Sequence, residues 1–465
     1  MKNIRYSIAT LLVIVLSHAA VAQTALSSYF LDGMMYNSKL NPAMRAERGY
    51  FSLGVGNISL GTKGNVGLAN FLYPRGENEL ATFMSGSVTA DEFLSGIPEK
   101  TKLGMNLDET IMAFGFRMFG GFFSFDLSLH SSVNLSLPKG LFEFAKRGLQ
   151  GEHYSFSGLN INTTNYAAAS IGYSHKIFDG FQLGVNAKYL LGLAHADVFV
   201  DKLDVELSGQ RWMVESHAQA QAALLCGADV EVDENNVIKS LELALEEEDL
   251  RQLRASDGFA VDLGFVYDLE KFVPGLKVSA SVVDLGYINW RYMLSGQSTD
   301  AKVEFDGFNE VDYNDVEGSV NAELEKLADD AAKLIEFNYN GESSVKTRLN
   351  TTMHVGAEYN MPFYKPLSVG VLYSQCFSPY ESRKWLEARG YVNVSPVSWF
   401  EISANYGYGT YGHSLGWMLN FHPAGINLFV GSDYMITKVS PQYIPLNNMN
   451  SHVTFGLSLA LGKRK

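Results

Sequence analysis

The sequence has few cysteines, no excess of basic residues and no long apolar run after its first 20 residues. Two cysteines, Cys226 and Cys376, are too few for a disulfide framework, although whether they pair stays open. Because 50 acidic residues outnumber 36 basic ones, for a net charge of −14, a nucleic-acid-binding surface is not expected. A helical membrane protein is excluded because a spanning helix needs roughly 20 apolar residues in a row. A β-barrel is not excluded, since its apolar residues occupy alternate positions.

The first 22 residues have the three parts of an export signal. Lys2 and Arg5 are basic, residues 8–16 are apolar, and Ala20-Val21-Ala22 ends in a small-residue cleavage site. This order of basic, apolar and small residues predicts cleavage between Ala22 and Gln23, and it fits a buried N-terminal helix less well. No cysteine for lipid attachment lies near this site, so we expect an exported chain without such an anchor.

Alternation of apolar and polar residues with a period of two is the strongest pattern in the rest of the chain. In residues 181–193, for example, Phe181, Leu183 and Val185 alternate with Gln182 and Gly184. Fourteen segments show the pattern: 50–60, 111–118, 122–131, 166–176, 181–193, 257–268, 275–290, 347–360, 367–376, 385–394, 398–408, 414–421, 426–435 and 451–462. An even number is expected of a single-chain outer-membrane barrel.

The connections between these segments alternate in length. Six are short, with turn residues such as Asp179-Gly180: 119–121, 177–180, 269–274, 361–366, 395–397 and 422–425. Four of the intervening connections are long: 61–110, 132–165, 194–256 and 291–346. Aromatic residues lie in or beside all six short turns, as in an interfacial girdle. Short periplasmic turns and long extracellular loops are typical of outer-membrane barrels.

The long connections carry features of their own. Val237 to Leu253 and Val320 to Phe337 are predicted to form amphipathic acidic helices, which would either cap the outer mouth or decorate its surface. Residues 195–222 look extended, so the fifth strand is expected to rise above the membrane and fold back.

The predicted fold is therefore all-β: a transmembrane antiparallel β-barrel of about fourteen strands, with long extracellular loops that contain short helices. Residues 1–22 are the signal peptide, 23–48 an N-terminal periplasmic or hatch-like segment, 49–462 the barrel, and 463–465 a basic periplasmic tail. The predicted location is the outer membrane of a Gram-negative bacterium. Outer-membrane lipid and the barrel-assembly machinery are the expected partners, and the oligomeric state stays open.

Two stretches carry a resemblance to known families. Ser27 to Gly33 is followed by Asn41-Pro42-Ala43 just before the first strand, and residues 284–290 read Asp-Leu-Gly-Tyr-Ile-Asn-Trp. Together they resemble an uncharacterised, domain-of-unknown-function family of Bacteroidota outer-membrane proteins over most of the mature chain. More distantly, the Asn-Pro-Ala segment before a fourteen-stranded barrel is similar to FadL-type transporters of hydrophobic compounds. That resemblance implies that Asn41, Pro42 and Ala43 belong to a hatch inside the lumen.

Alternation also predicts which charged residues face the lumen. The two signs are balanced, which suggests mutual neutralisation in a structural lattice, with a binding or constriction site as the alternative. The predicted lumen-lining charges are Arg117, Asp126, Lys188, Asp262, Lys277, Glu358, Arg389 and Glu401. Side chains alone would not fill so wide a lumen, so water or a plug is expected there.

Motifs for catalysis and metal binding are weak, and the chain is not expected to be an enzyme or to hold a cofactor. Residues 412–416 match G-x-S-x-G around Ser414, but a strand follows where the motif requires a helix. Asp126, Ser128 and His130 share a strand face, where the spacing of roughly 7 Å between neighbours is expected to be too long for a hydrogen bond between nucleophile and base. The acidic residues 229–235 lack the glycine of a calcium loop.

Two functions follow as hypotheses. The first is passive transport of small or hydrophobic molecules, in which the outer loops capture a small hydrophobic ligand and a displaced hatch lets it pass. The second is a non-transporting surface adhesin or an anchor for secretion or gliding machinery, suggested by the long outward loops.

Overall fold

The computed structural model describes residues 25–75, 79–148, 153–207, 212–243, 254–298, 301–305, 336–380, 383–435 and 450–462. The predicted signal peptide, its cleavage site and the basic tail lie outside these residues. So do residues 244–253 and 320–335, which make up most of the two predicted acidic helices.

Strands dominate the described residues. They are β1 (Gly49–Gly64), β2 (Leu72–Pro74), β3 (Leu80–Thr82), β4 (Lys100–Met118), β5 (Gly121–Pro138), β6 (His153–Ser155), β7 (Asn160–Phe178), β8 (Phe181–Leu207), β9 (Trp212–Leu224), β10 (Ala228–Val232), β11 (Ile238–Leu243), β12 (Ser256–Asp268), β13 (Leu276–Ser298), β14 (Ala301–Phe305), β15 (Phe337–Arg348), β16 (Thr351–Asn360), β17 (Leu367–Phe377), β18 (Trp385–Val397), β19 (Phe400–Gly409), β20 (Gly412–Phe421), β21 (Ile426–Ser432) and β22 (Ser451–Leu461).

Fourteen of these strands close into one antiparallel barrel, in the order β1, β4, β5, β7, β8, β12, β13, β16 to β22 and back to β1. The first and last strands pair directly, with Phe51 opposite Leu459 and Ile58 opposite Phe455. Each of the fourteen predicted segments lies on one of these strands, so the predicted fold class is confirmed.

The barrel wall is apolar outside and polar inside. On β22, Val453, Phe455 and Leu457 are exposed, whereas Thr454 and Ser458 are at most 2% exposed. The same alternation places buried serine, threonine and asparagine residues around the interior. A continuous apolar outer surface would aggregate in water, and it is the surface that a bilayer covers.

The six short turns lie at one end of the barrel, the turn end, and the N-terminal start of β1 lies there too. Phe119 and Gly120 form the first turn with positive φ angles of 52° and 77°. Large aromatic side chains stay exposed around this end: Phe119, Phe178, Phe272, Phe363, Tyr364, Trp399 and Phe421. They form the predicted ring beside the turns, at the level where interfacial aromatics are found.

At the opposite end, the loop end, several strands continue past the barrel. β8 has 27 residues, far more than the roughly 9–11 that cross a bilayer. β9 pairs with β8, and Ala222 lies opposite Leu294 of β13. The predicted rise of residues 195–222 above the barrel is therefore confirmed for its described part, and the described residues 291–298, 301–305 and 337–346, which we expected to be loop, are strand.

The acidic helix predicted from Val237 is wrong for its described part. Residues Ile238–Leu243 form β11, which pairs with β10. The turn between them explains the difference, because the Asp233 carboxylate accepts hydrogen bonds from the backbone N–H groups of Asn235 and Val237. Asn236 adopts a φ of 65°, and together these residues reverse the chain into a hairpin.

Two helices that the sequence analysis did not predict lie at the loop end: α1 (Ala90–Ser95) and α2 (Lys139–Arg147). Phe93 on α1 packs against Phe83 and Phe142 in a small apolar cluster. Three short 3₁₀ helices complete the described elements, at Leu26–Ser28, Asn37–Lys39 and Leu68–Asn70. None of the helices in the described residues is long and apolar enough to cross a bilayer.

We expect the closed barrel to resist detergent at room temperature, since its hydrogen bonds close on themselves without an edge. An unboiled sample should migrate differently from a boiled one in a detergent gel. Identical migration of the two samples would contradict the closed fold.

Candidate functional site

The N-terminal residues 25–48, here called the plug segment, lie inside the barrel. Leu26, Tyr29 and Leu31 are at most 2% exposed, although they precede the first strand. They pack with residues of their own segment, such as Met34 and Leu40, and on inward residues of the wall, such as Met418 and Tyr391. The lumen is thus occupied by the chain's own N-terminal part.

Carboxylates of the wall hold the backbone of the plug segment. Asp433 accepts hydrogen bonds from the N–H groups of Leu26 at 2.9 Å and Ser27 at 2.7 Å, and from the Ser27 hydroxyl at 2.6 Å. Glu401 accepts from the Gly33 N–H at 3.1 Å. Hydrogen bonds to charged acceptors are the stronger kind, so these carboxylates fix two points of the segment.

Asn41-Pro42-Ala43 lies against two neighbouring strands where the wall carries glycine. Gly184 of β8 and Gly264 of β12 are direct partners across the ladder. A Cβ atom at Gly184 would come within 2.1 Å of the Pro42 carbonyl carbon, and one at Gly264 within 2.2 Å of Asn41 Oδ1. The Asn41 side chain donates to the Phe265 carbonyl at 3.1 Å and accepts from the Ala43 N–H at 3.0 Å. The glycine pair is therefore a recess shaped for this motif.

Two cavities flank the motif. The outer cavity, about 160 Å³, opens towards the loop end and is lined by Lys39 and Leu40 of the plug segment. The inner cavity, about 360 Å³, is lined by Ala43, Met44 and Arg45 together with turn-end residues such as Gly180. Residues 39–44 therefore separate the two cavities along the lumen.

Each predicted lumen charge has a described partner. Lys188 bridges Asp262 at 2.9 Å and Asp284 at 2.7 Å, and Lys277 lies 3.9 Å from Glu358. The other contacts reach outside the predicted set: Asp126 to Lys39, Lys277 to Asp32, Arg389 to Glu387 and Asp433, Glu401 to His422, and Arg117 to the carbonyl of Glu47.

Seven of these partners lie outside the predicted set, and two features of the chain explain why three of them were missed: the seven are Asp32, Lys39, Glu47, Asp284, Glu387, His422 and Asp433. Asp32 and Lys39 belong to the plug segment, whose position in the lumen no strand pattern reveals. Asp284 lies at an irregularity of β13 with a φ of 58°, which interrupts the alternation used to assign faces. Glu387 could have been found, because it stands two residues before Arg389 on the same face of β18.

The expectation that Ser128 and His130 lie too far apart to hydrogen-bond is wrong. The Ser128 Oγ atom is 3.0 Å from His130 Nε2, and His130 Nδ1 is 2.5 Å from Asp108 Oδ1. Roughly 7 Å separates the backbone positions of Ser128 and His130, but the His130 imidazole is long enough to reach the Ser128 hydroxyl. The Ser128 hydroxyl also donates to Asp126 at 3.1 Å, and the surrounding backbone amides belong to the ladders with β4 and β7. Backbone N–H groups engaged in these ladders are not free to act as the oxyanion donors that acyl transfer uses.

We accordingly expect no serine-hydrolase reactivity at Ser128 or Ser414. Ser414 lies on β20 and hydrogen-bonds Glu387 and Arg389 rather than a histidine. A fluorophosphonate probe should label the folded protein no faster than its Ser128→Ala variant. Labelling that disappears with this substitution alone would contradict the expectation.

Other sites considered from the sequence are occupied by structural contacts. Asp233, in the acidic stretch, caps the hairpin turn. Cys226 and Cys376 are both free thiols. Among the described residues no group of three histidine, cysteine, aspartate or glutamate side chains is arranged to hold a metal ion.

The glycine recess generates a test of the plug position. Gly184→Val should push residues 41–43 out of place at a cost of about 1–3 kcal/mol, as overpacking does. We expect trypsin to remove the N-terminal residues at Arg45 about tenfold faster than in the unaltered protein, measured by mass spectrometry. The matched control is Gly390→Val, because a Cβ at that strand glycine meets nothing within 4 Å. Equal cleavage of the two variants would contradict the described recess.

Comparisons with known proteins identify one family and several solved structures of low similarity. A model of the family of unknown function DUF5723 matches residues 42–433. No curated protein matches the chain significantly. Similar solved structures include the Pseudomonas putida toluene transporter TodX (TM-score 0.39, 8% identity, 95% of this chain and 93% of that chain). Another is the CymD monoaromatic hydrocarbon channel (TM-score 0.41, 8% identity, 96% of this chain and 95% of that chain). A third is a Pseudomonas aeruginosa FadL homologue (TM-score 0.41, 11% identity, 95% of this chain and 99% of that chain). Similarity at this level transfers no substrate to this chain.

Proposed function

The chain belongs to the DUF5723 family of unknown function, and from the geometry of its lumen we propose that it is a passive outer-membrane channel for small molecules. The observation that carries the proposal is the pair of cavities on the two sides of residues 39–44. A barrel used only as an anchor has no need of cavities on both sides of its plug. In this proposal the plug segment is the closed gate, and its local displacement joins the cavities.

The lining of the outer cavity favours a solute with polar groups. Lys39, Asp126, Lys188 and Asp262 face it together with Asn106 and other neutral polar residues. A purely hydrophobic solute would have to displace water from these groups without replacing its hydrogen bonds, which is costly. We therefore narrow the expected class from small or hydrophobic molecules to small polar or amphipathic ones.

Location and partners follow from the same barrel. The apolar outer wall and the aromatic ring at the turn end suit an outer membrane, with the turns on the periplasmic side and the extended strands outside. Outer-membrane lipid would then contact the wall, and the barrel-assembly machinery would insert the chain. A Gram-negative host is part of the proposal.

The second candidate is a surface module. The observation in its favour is the sheet of β8, β9, β13 and β15, which continues beyond the barrel at the loop end. Such a sheet offers a partner more surface than a simple pore needs. The two functions differ in one measurable property, because a surface module conducts no solute.

Single-channel conductance in a planar bilayer tests the proposal. The protein should be mostly closed, and deletion of residues 25–45 should give frequent conductance steps because the lumen loses its filling. Silence of the deletion variant, with its barrel shown to be folded by gel mobility, would refute the channel and favour the surface module.

Point variants test the gate without removing it. Asp433→Asn with Glu401→Gln weakens the charge-assisted hydrogen bonds to Leu26, Ser27 and Gly33, so the open fraction should rise about tenfold. The control is Glu99→Gln, which removes an exposed carboxylate, and it should leave conductance unchanged. An open fraction equal to that of the control would show that these carboxylates do not hold the gate.

A further inference from the structure

The turn between β17 and β18 places a charged side chain inside the lumen at the loop end. Arg383 follows Ser378 and Tyr380 in this turn and is only 7% exposed. Its guanidinium lines the outer cavity. Burial lowers the pKa of Arg383 to about 10, which still leaves the side chain positively charged at neutral pH.

The contacts of Arg383 are with neutral groups. Its Nη2 atom donates to Asn162 and, at 3.2 Å, to Thr164, and Asn134 can turn its amide oxygen towards Nε. Its carbon Cζ lies 5.1 Å from the Tyr380 ring. Within the described part of the chain, Arg383 makes no ion pair, and its Nη1 atom has no hydrogen-bond partner. A buried cation in such surroundings calls for a negative charge.

The carboxylates of the outer cavity do not supply that charge, because they are already engaged. Asp126 pairs with Lys39, and Asp108 with His130. Asp262 and Asp284 share Lys188. Asp197 does not line the cavity, and the Asn160 amide donates to it at 2.7 Å. The lining carries five basic side chains against four carboxylates, so one positive charge is in excess: Lys39, Lys63, Lys188, Arg348 and Arg383 against Asp108, Asp126, Asp262 and Asp284.

Apolar and aromatic groups line the same cavity as Arg383. Trp385, Tyr411 and Cys376 belong to one buried cluster and also line the outer cavity, as does Leu349. A cavity of about 160 Å³ is close to the roughly 150 Å³ that accommodates a benzene molecule in an apolar protein core. An arginine beside such a wall matches a ligand with one anionic group and a compact apolar body.

We propose that the outer cavity is a binding site for a small organic carboxylate, whose anionic group pairs with Arg383 while its apolar body contacts Trp385, Tyr411 and Leu349. The proposal rests on the proposed channel function for the route by which the ligand arrives, and it names the class of solute. The planar guanidinium offers a carboxylate two parallel donors, a geometry that a lysine ammonium lacks.

Equilibrium binding of small probes to the purified full chain in detergent, measured by titration calorimetry, tests the site independently of transport. The probes are benzoate, its neutral counterpart benzyl alcohol, and inorganic phosphate. Benzoate should bind at least about tenfold more tightly than benzyl alcohol, as expected of a charge-assisted hydrogen bond in a buried site. Equal affinities would overturn the proposal, and phosphate binding as tight as that of benzoate would overturn its apolar part.

Variants assign the site to Arg383. Arg383→Met should abolish the preference for benzoate and leave benzyl alcohol binding unchanged, and Arg383→Lys should retain only part of the preference. The matched control is Arg147→Met, since Arg147 is exposed on α2 and lines neither cavity, and it should change benzoate binding by less than about twofold. Retention of the full preference in Arg383→Met would overturn the assignment. If Arg383→Met does not fold, the assignment is tested by the ratio of benzoate affinity to benzyl alcohol affinity in the unaltered protein and in Arg383→Lys.

This design separates the two proposals. Benzoate binding to the full chain, with no conductance from the plug-deleted variant, would support the binding site and refute the channel. Conductance without a preference for benzoate would leave the channel standing and remove the site.

Discussion

Polar groups that face the inside of a closed barrel must find their partners inside it. The bilayer requires the outer wall to be apolar, so alternation sends every second side chain of fourteen strands into the lumen. Many of these inward residues are serine, asparagine or charged, and they are shielded from bulk water. An unpaired polar group in such a place is costly, so the residues that fill the lumen have to supply hydrogen-bond and charge partners for the wall.

The plug segment meets this requirement with its backbone as well as its side chains. Asp433 and Glu401 accept hydrogen bonds from its N–H groups, and Lys39 contributes a charge that the wall's Asp126 needs. Leu26, Tyr29 and Leu31 fill the remaining space with apolar clusters. Expelling the whole segment would break all of these contacts together. In the proposed channel, opening is therefore more economical as a local movement of residues 39–44, which line the outer cavity at one end and the inner cavity at the other.

The barrel could be predicted from the sequence because its signals are local. Alternation within a strand and short turns between strands need no knowledge of distant residues, and all fourteen segments were found this way. The positions inside the lumen depend on distant partners instead. The sequence around Gly184 does not reveal that Pro42 packs against this glycine. The alternation does not predict the lumen position of Asp284, because a local irregularity in β13 interrupts it. Arg383 lies in an outer connection that strand patterns do not cover, and only the three-dimensional structure shows that no described carboxylate forms an ion pair with it.

The proposed gate exists only if the plug segment lies in the lumen, and thiol labelling measures this position most directly. In a background with Cys226→Ser and Cys376→Ser, a cysteine would replace Ala43, which is fully buried, or Asp32, which is exposed in the same segment. A membrane-impermeant maleimide should label the folded Asp32→Cys variant readily. It should label the folded Ala43→Cys variant only after the barrel has been unfolded by boiling. Equal labelling rates for the two folded variants would contradict a plug held against the wall.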